Sequence, residues 1–77
     1  MSDVEQRIKE VTARTLKIDA GRITADSRFV EDLGAESIQS VELVAAFEEE
    51  FDVEMDEEDA LEVKTVGKAI EFIGKLL

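Results

Sequence analysis

Apolar residues recur at intervals of three or four positions in three separate stretches of this chain, a spacing typical of helices that bury one face. The first stretch predicts a helix over about residues 3–16, and the second predicts a helix from about Ser37 to Phe51. The third predicts a helix that begins after Thr65. No stretch alternates apolar and polar residues as a strand does. The chain is therefore expected to be all-α.

Capping residues accompany these stretches. Ser2 with Glu5 three residues later forms a capping-box pattern. Asp56, with Asp59 at the third helical position, predicts a short helix between the second and third long ones, and Thr65 is the expected cap of the last helix. The residues predicted to face the core are Leu43, Val44, Phe47 and Phe51 in the second long helix and Val66, Ala69, Ile70, Ile73 and Leu77 in the last.

Residues 17–36 separate the first two helices and show no sustained period. A loop of this length is uncommon in a small domain unless it has a function. Its apolar residues are Ile18, Ile23, Phe29, Val30 and Leu33. We therefore expect one domain over residues 1–77, a small bundle of three main helices plus one short helix, with a long ordered loop packed across them.

Composition limits the function. The 77 residues include no cysteine, which excludes disulfides and thiolate metal sites, and no histidine. Nine basic residues against twenty acidic ones give a net charge of −11, which disfavours binding to nucleic acid or to an anionic membrane and favours basic protein partners. No apolar run is long enough to span a membrane, and the N-terminus does not resemble a signal peptide. We expect a soluble, cytoplasmic monomer.

Ser37 lies where a glycine-containing loop gives way to the second helix. Read alone, a serine in this place is most simply a helix cap. It cannot belong to a nucleophilic triad, because the chain has neither the histidine nor the cysteine that would complete one. Enzyme activity is therefore not expected. The other interpretation is that the Ser37 hydroxyl is an attachment point for a cofactor.

Two acidic regions suggest binding. Ile38, Glu42, Ala45 and Glu49 fall nearly opposite the predicted core face of the second helix, and acids around an exposed apolar residue suit a basic, partly apolar partner. Single exposed apolar residues are nevertheless common. The acidic segment 52–59 does not fit a calcium-binding EF-hand loop, which needs a glycine and a later glutamate that are absent. Loose binding of divalent ions and mimicry of nucleic acid remain as alternatives.

The segment LGAESIQSVELVAAFEEEF, residues 33–51, closely resembles the prosthetic-group attachment region of acyl carrier proteins, with the family's usual Asp-Ser-Leu present as Glu36-Ser37-Ile38. The loop DSRFVEDLG, the continuation EEEFDVEM and the tail KTVGKAIEFI also have counterparts there, so that the resemblance covers nearly the whole chain. It implies that Ser37 carries 4'-phosphopantetheine, transferred from coenzyme A by a magnesium-dependent phosphopantetheinyl transferase. The terminal thiol of that group would hold acyl chains as thioesters.

The resemblance also implies a cargo pocket and a docking face. The positions that resemble the pocket lining are Phe47, Met55, Ala60, Val63 and Ala69. Those that resemble the docking face, called the outer face below, are Glu36, Ile38, Val41, Glu42, Ala45, Glu48 and Glu49. The expected partners are acyl-transferring, condensing and reducing enzymes with basic docking patches. The implied function is delivery of acyl intermediates to fatty acid, or related lipid or polyketide, biosynthesis.

The chain departs from the family's common pattern at Glu36, Gln39, Ala45 and the pair Met55-Asp56, where a proline is usual. None of these departures removes the attachment hydroxyl. They favour, as an alternative, a carrier dedicated to one pathway, with polyketide, lipid A or aminoacyl cargo. Outside the carrier class, the alternative is an unmodified acidic module that binds a protein or ions.

Overall fold

A computed structural model describes residues 3–77, in which four α-helices follow one another: α1 Asp3–Leu16, α2 Ser37–Phe51, α3 Glu57–Leu61 and α4 Val66–Leu76. A short 3-10 helix, Ala20–Arg22, lies in the loop between α1 and α2. Within the described residues the backbone forms no strand, and a single isolated bridge joins Arg28 to Thr65. The all-α bundle of three longer helices and one short helix is confirmed.

The helix ends follow the predicted capping chemistry. The carboxylate of Asp56 accepts a hydrogen bond from the Glu58 N–H at 3.0 Å and starts α3, and the Thr65 hydroxyl accepts one from the Lys68 N–H at 3.1 Å and starts α4. The capping box predicted for Ser2 and Glu5 lies outside the described residues, since Ser2 is not among them.

The long helices α1 and α2 are each followed by a non-glycine residue in the left-handed conformation. These residues are Lys17, with φ 59°, and Asp52, with φ 53°. In each case the next residue's N–H donates back to a carbonyl five positions earlier, Ile18 to Ala13 at 3.0 Å and Val53 to Glu48 at 3.1 Å. This arrangement satisfies carbonyl groups that the helix leaves without partners. It also turns the chain sharply after each helix.

The loop between α1 and α2 is ordered, as predicted, and its backbone is hydrogen-bonded to the start of α4. The Phe29 N–H donates to the Lys64 carbonyl at 3.0 Å, and the Gly67 N–H donates to the Ala25 carbonyl at 2.8 Å. A Cβ atom on Gly67 would lie 3.0 Å from that same oxygen of Ala25. Gly67 is therefore required by the close approach of the loop, which outweighs its low helix propensity.

The core lies between α1, α2, α4 and the loop. Its least exposed residues are Ile8, Val11, Val66 and Ile73, with Ile23, Phe29 and Leu33 contributed by the loop.

Two predicted core positions are wrong. Val30 is 53% exposed, because its neighbour Phe29 takes the inward position in this tight turn. Leu77 is 60% exposed, because it follows the last residue of α4 and the helical period no longer directs it inward.

Helix α1 packs against both α2 and α4, whereas α2 and α4 make few direct contacts with each other. The short helix α3 packs chiefly against α2. A cavity of about 590 Å³ lies in the gap that this arrangement leaves between α2 and α4, with α3 beside it.

Candidate functional site

Ser37 is the first helical residue of α2, and its side chain is exposed. The N-cap position belongs to Glu36, so the simple interpretation of Ser37 as a helix cap is wrong. Among residues 3–77 the Ser37 hydroxyl has no hydrogen-bond partner. By contrast, the Ser40 hydroxyl donates a hydrogen bond to the Glu36 carbonyl oxygen at 3.4 Å. An unpaired, exposed hydroxyl at a fixed helix end is accessible to a modifying enzyme.

The chain entering α2 is held rigidly. Gly34 adopts φ 75°, a conformation that favours glycine, and the Ala35 N–H donates to the Phe29 carbonyl at 2.9 Å. The side-chain oxygen of Gln39 accepts a hydrogen bond from the Glu36 N–H at 2.9 Å. Gln39, a departure from the family pattern, thereby helps to fix the backbone next to Ser37. Sequence reasoning missed this role, for which the i, i+3 spacing of the two residues is a signal.

The start of α2 favours a negatively charged group. The first N–H groups of any helix have no carbonyl partner within it, and the aligned peptide dipoles add partial positive charge. Ser37 is the first helical residue of α2, so that its hydroxyl belongs to the turn that carries these groups. A phosphodiester on that hydroxyl would therefore lie at the favourable end of the helix.

A cavity of about 590 Å³ begins beside Ser37 and extends between α2, α3 and α4. All five positions proposed for a cargo pocket, Phe47, Met55, Ala60, Val63 and Ala69, line it. Ser37 itself lies on its rim, with Val30 and Glu31. Sequence reasoning missed Phe29, Phe72 and Leu43 as lining residues, because helical periodicity marks which side chains point inward but not which of them border a gap.

Most of the outer face is available to a partner. Ile38 is 69% exposed, and Val41, Glu42, Ala45 and Glu49 are exposed around it. The chain has no lysine or arginine between Arg28 and Lys64, so that this surface carries charge of one sign. Among residues 3–77, the carboxylates of Glu42 and Glu49 form no ion pair, although Arg7 and Arg14 of α1 pair with Glu50 of the same helix.

Glu48 was assigned to the outer face together with Glu49, but the two side chains have different environments. Its side chain is half-buried, and its Oε2 atom accepts a hydrogen bond from the Met55 N–H at 2.8 Å. The third glutamate of the run, Glu50, turns toward α1, where its Oε2 lies 2.9 Å from the Arg7 guanidinium.

An ion pair between Arg28 and Asp32 stabilises the turn that precedes the cavity rim. The Arg28 guanidinium lies 3.0 Å from the carboxylate of Asp32, which also accepts the Arg28 backbone N–H at 2.8 Å. The hydrogen bond from the Arg28 side chain, followed by that from its backbone, lowers the pKa of Asp32 below its ordinary value. This turn holds Phe29 over the cavity.

Two structural features of residues 3–77 bear on other functions. No group of three acidic side chains converges as a metal site would require. No helix in this part of the chain is long and apolar enough to cross a membrane.

Comparison with protein families identifies the class. The family model described as "Phosphopantetheine attachment site" matches residues 6–73, which is most of the chain. The chain belongs to this family of phosphopantetheine-carrying proteins. Its cofactor is accordingly 4'-phosphopantetheine, and its partners include the enzymes that modify such carriers and the biosynthetic enzymes they serve.

Proposed function

We propose that the chain is an acyl carrier protein, itself without catalytic activity, which carries 4'-phosphopantetheine on Ser37. The observation that carries this proposal is the position of Ser37, whose exposed, unpaired hydroxyl lies both at the start of α2 and on the rim of the large cavity. When bound there, the group supplies a terminal thiol on which acyl chains are held as thioesters. The residues of this chain anchor the group, admit its cargo and present it.

The residues around Ser37 fit the group. The N-terminal end of α2 favours the negative charge of its phosphodiester. No side chain of the described residues forms a hydrogen bond with the Ser37 hydroxyl. The cavity that begins beside Ser37 is lined mainly by apolar residues, among them Phe47, Val63 and Ala69. An aliphatic acyl chain therefore fits this cavity better than a polar aminoacyl group, which would lose hydrogen bonds to water on entering it. This favours service in fatty acid synthesis or a related lipid or polyketide pathway.

The outer face is the proposed docking surface for the enzymes. Lysine and arginine side chains of a transferase, a condensing enzyme or a reductase would meet Glu42 and Glu49, while the exposed side chain of Ile38 fits an apolar depression. Exposed ion pairs contribute little individually, so that each complex would be short-lived and sensitive to salt. A carrier that visits several enzymes in turn requires such complexes.

The experiment is intact mass measurement after incubation with coenzyme A, magnesium and a broad-specificity phosphopantetheinyl transferase. We expect the wild-type chain to gain the mass of one phosphopantetheine group. Ser37→Ala should gain nothing, whereas Ser40→Ala, which removes the nearest other hydroxyl of α2, should be modified as the wild type is. Failure of the wild-type chain to gain mass, or modification of Ser37→Ala, would refute the proposal.

A further inference from the structure

The carboxylate of Glu48 is bound to the backbone that begins the cavity wall. Helix α2 ends at Phe51, Asp52 takes the left-handed conformation, and the chain turns back beside the helix. The Met55 N–H, four residues after the helix end, then donates to Glu48 Oε2 at 2.8 Å. Among residues 3–77 this is the one recorded hydrogen bond of the Met55 N–H, and it joins the α2–α3 connection to the outer side of α2.

Met55 separates two spaces. The large cavity lies on one side, and a smaller groove of about 210 Å³ lies on the other, toward the outer face. Both spaces are bordered by the same four residues, Val41, Val44, Met55 and Leu61. The groove is completed by Ala45, Glu48 and Glu57. These four shared residues, called the dividing wall here, border the cargo space on one side and the outer groove on the other.

The dividing wall depends on Glu48 because little else holds its α3 side. Helix α3 has five residues, Glu57–Leu61, and packs chiefly against α2. Leu61 is 41% exposed, and Met55 is only half-buried. Weakly packed segments with few buried contacts are those that open most easily in a folded protein. A charge-assisted hydrogen bond to the backbone of Met55 is a strong restraint on such a segment.

We propose that Glu48 is a positioning residue for cargo retention, which keeps the dividing wall closed by holding the Met55 N–H. This inference rests on the proposed carrier function, since it assigns a role in sheltering the thioester. The proposal gives Glu48 a role different from that of Glu49, its neighbour on the outer face. The side chain of Glu49 is exposed and has no hydrogen bond or ion pair within the described residues.

The first test is hydrogen exchange of the Met55 amide in the unmodified protein, measured by NMR. Glu48→Ala removes both the charge and the acceptor, whereas Glu48→Gln removes the charge and keeps an acceptor oxygen. Both variants lose the charge, which itself alters the rate of amide exchange, so that a difference between them reports the loss of the hydrogen bond alone. We expect Met55 to exchange about tenfold faster in Glu48→Ala than in Glu48→Gln, the effect of losing one such bond. Equal rates in the two variants would overturn the proposal.

The control variant is Glu49→Ala, which removes an exposed acid from the same helix. Its Met55 exchange should match that of Glu48→Gln to within about threefold, since both lose one nearby charge but keep the Met55 bond. The amide of Ile73, in the core, reports global stability and should not change by the same factor as Met55. If it does, the variant has lowered the stability of the whole fold, and the local role of Glu48 is refuted.

The second test measures shelter of the cargo. Each variant is loaded with an octanoyl thioester, and the rate of its cleavage by hydroxylamine is measured. We expect cleavage severalfold faster in Glu48→Ala than in wild type, with Glu48→Gln near wild type. Faster Met55 exchange without faster cleavage would show that the bond only orders the loop, which overturns the proposal. If no variant can be loaded at all, the carrier function fails, while the exchange data still decide whether Glu48 holds Met55.

Discussion

Replacement of Ala69 by leucine tests the cavity directly, because this alanine is 2% exposed and lines the space proposed for the acyl chain. Leucine adds three carbon atoms, which at about 0.8 kcal/mol per buried methylene amounts to about 2.4 kcal/mol. Ordering the leucine side chain costs about 0.5–1 kcal/mol. Imperfect fit costs about 1 kcal/mol, the low end of the range for an enlarged core residue, because the leucine enters an existing cavity. We therefore expect Ala69→Leu to raise the free energy of unfolding of the unmodified protein by about 1 kcal/mol.

The same substitution should reduce the stabilisation that an acyl chain gives to the fold. In the wild-type protein, each further methylene of an acyl chain that enters the cavity should stabilise the fold, by at most about 0.8 kcal/mol. The leucine of Ala69→Leu occupies part of that space, so that longer chains gain less. Opposite effects are thus expected from one substitution: the unmodified protein becomes more stable, and the increase in stability with acyl chain length becomes smaller.

The assay is thermal unfolding of unmodified, butanoyl-loaded and octanoyl-loaded protein. For a domain of this size, about 1 kcal/mol corresponds to a shift of about 4–8 °C in Tm. Ala13→Leu is the matched control, since Ala13 is also buried but does not line this cavity; overpacking there should lower stability by about 1 kcal/mol. A loss of stability in unmodified Ala69→Leu, or an unchanged dependence on chain length, would refute the reasoning.

Three further predictions concern stability, each measured by urea unfolding. The hydroxyl of Thr12 is fully buried without a partner in the described residues, so Thr12→Val should raise the free energy of unfolding by about 1 kcal/mol. On α4, Gly74→Ala meets no neighbouring atom and should stabilise by about 0.5 kcal/mol, whereas Gly67→Ala should destabilise by about 1 kcal/mol through its contact with the loop. The pKa of Asp32 is lowered by Arg28, so its contribution is present at neutral pH and is lost as the pH falls through that lowered pKa; the deficit of Asp32→Asn should therefore shrink below about pH 4. A deficit that stays constant down to about pH 2 would contradict this assignment.

The helices could be predicted from the sequence because each depends on local information. The spacing of apolar residues and the capping residues Asp56 and Thr65 gave the bounds of α2, α3 and α4 closely. The predictions that Val30 and Leu77 point inward were wrong, because both residues lie outside a regular helix. There, the apolar character of a residue does not determine which way its side chain points. The docking of the loop on α4 was not visible, since it depends on backbone atoms far apart in sequence.

The proposed attachment serine, Ser37, could be selected only through the family resemblance, because a lone serine at a helix start is most often a cap. The structure adds that the cap position is taken by Glu36, which leaves the Ser37 hydroxyl unpaired among the described residues. The pocket positions were likewise inherited from the resemblance. Their arrangement around one cavity follows from α2 and α4 both packing on α1 with few contacts to each other, which is a property of the assembled fold.

The run Glu48-Glu49-Glu50 shows why an acidic sequence is not in itself a docking surface. Successive residues of a helix point about 100° apart, and these three identical side chains have three different environments. Glu48 holds the Met55 N–H, and Glu49 faces outward without a recorded ion pair in the described residues. Glu50 binds Arg7, whose guanidinium also lies 4.4 Å from the centre of the Phe51 ring and so joins α1 to α2.

Loss of each of these acids should therefore affect a different measurement, even though the formal charge changes equally. Glutamine at position 49 should weaken association with a basic enzyme and leave the stability of the carrier nearly unchanged, since an exposed acid contributes little to folding. Glutamine at position 50 should lower stability, because it weakens the ion pair with Arg7 at the seam between α1 and α2. Alanine, but not glutamine, at position 48 should expose the cargo. A result in which all three variants weaken docking equally and change nothing else would mean that net charge, and not the direction of each side chain, governs how this carrier is recognised.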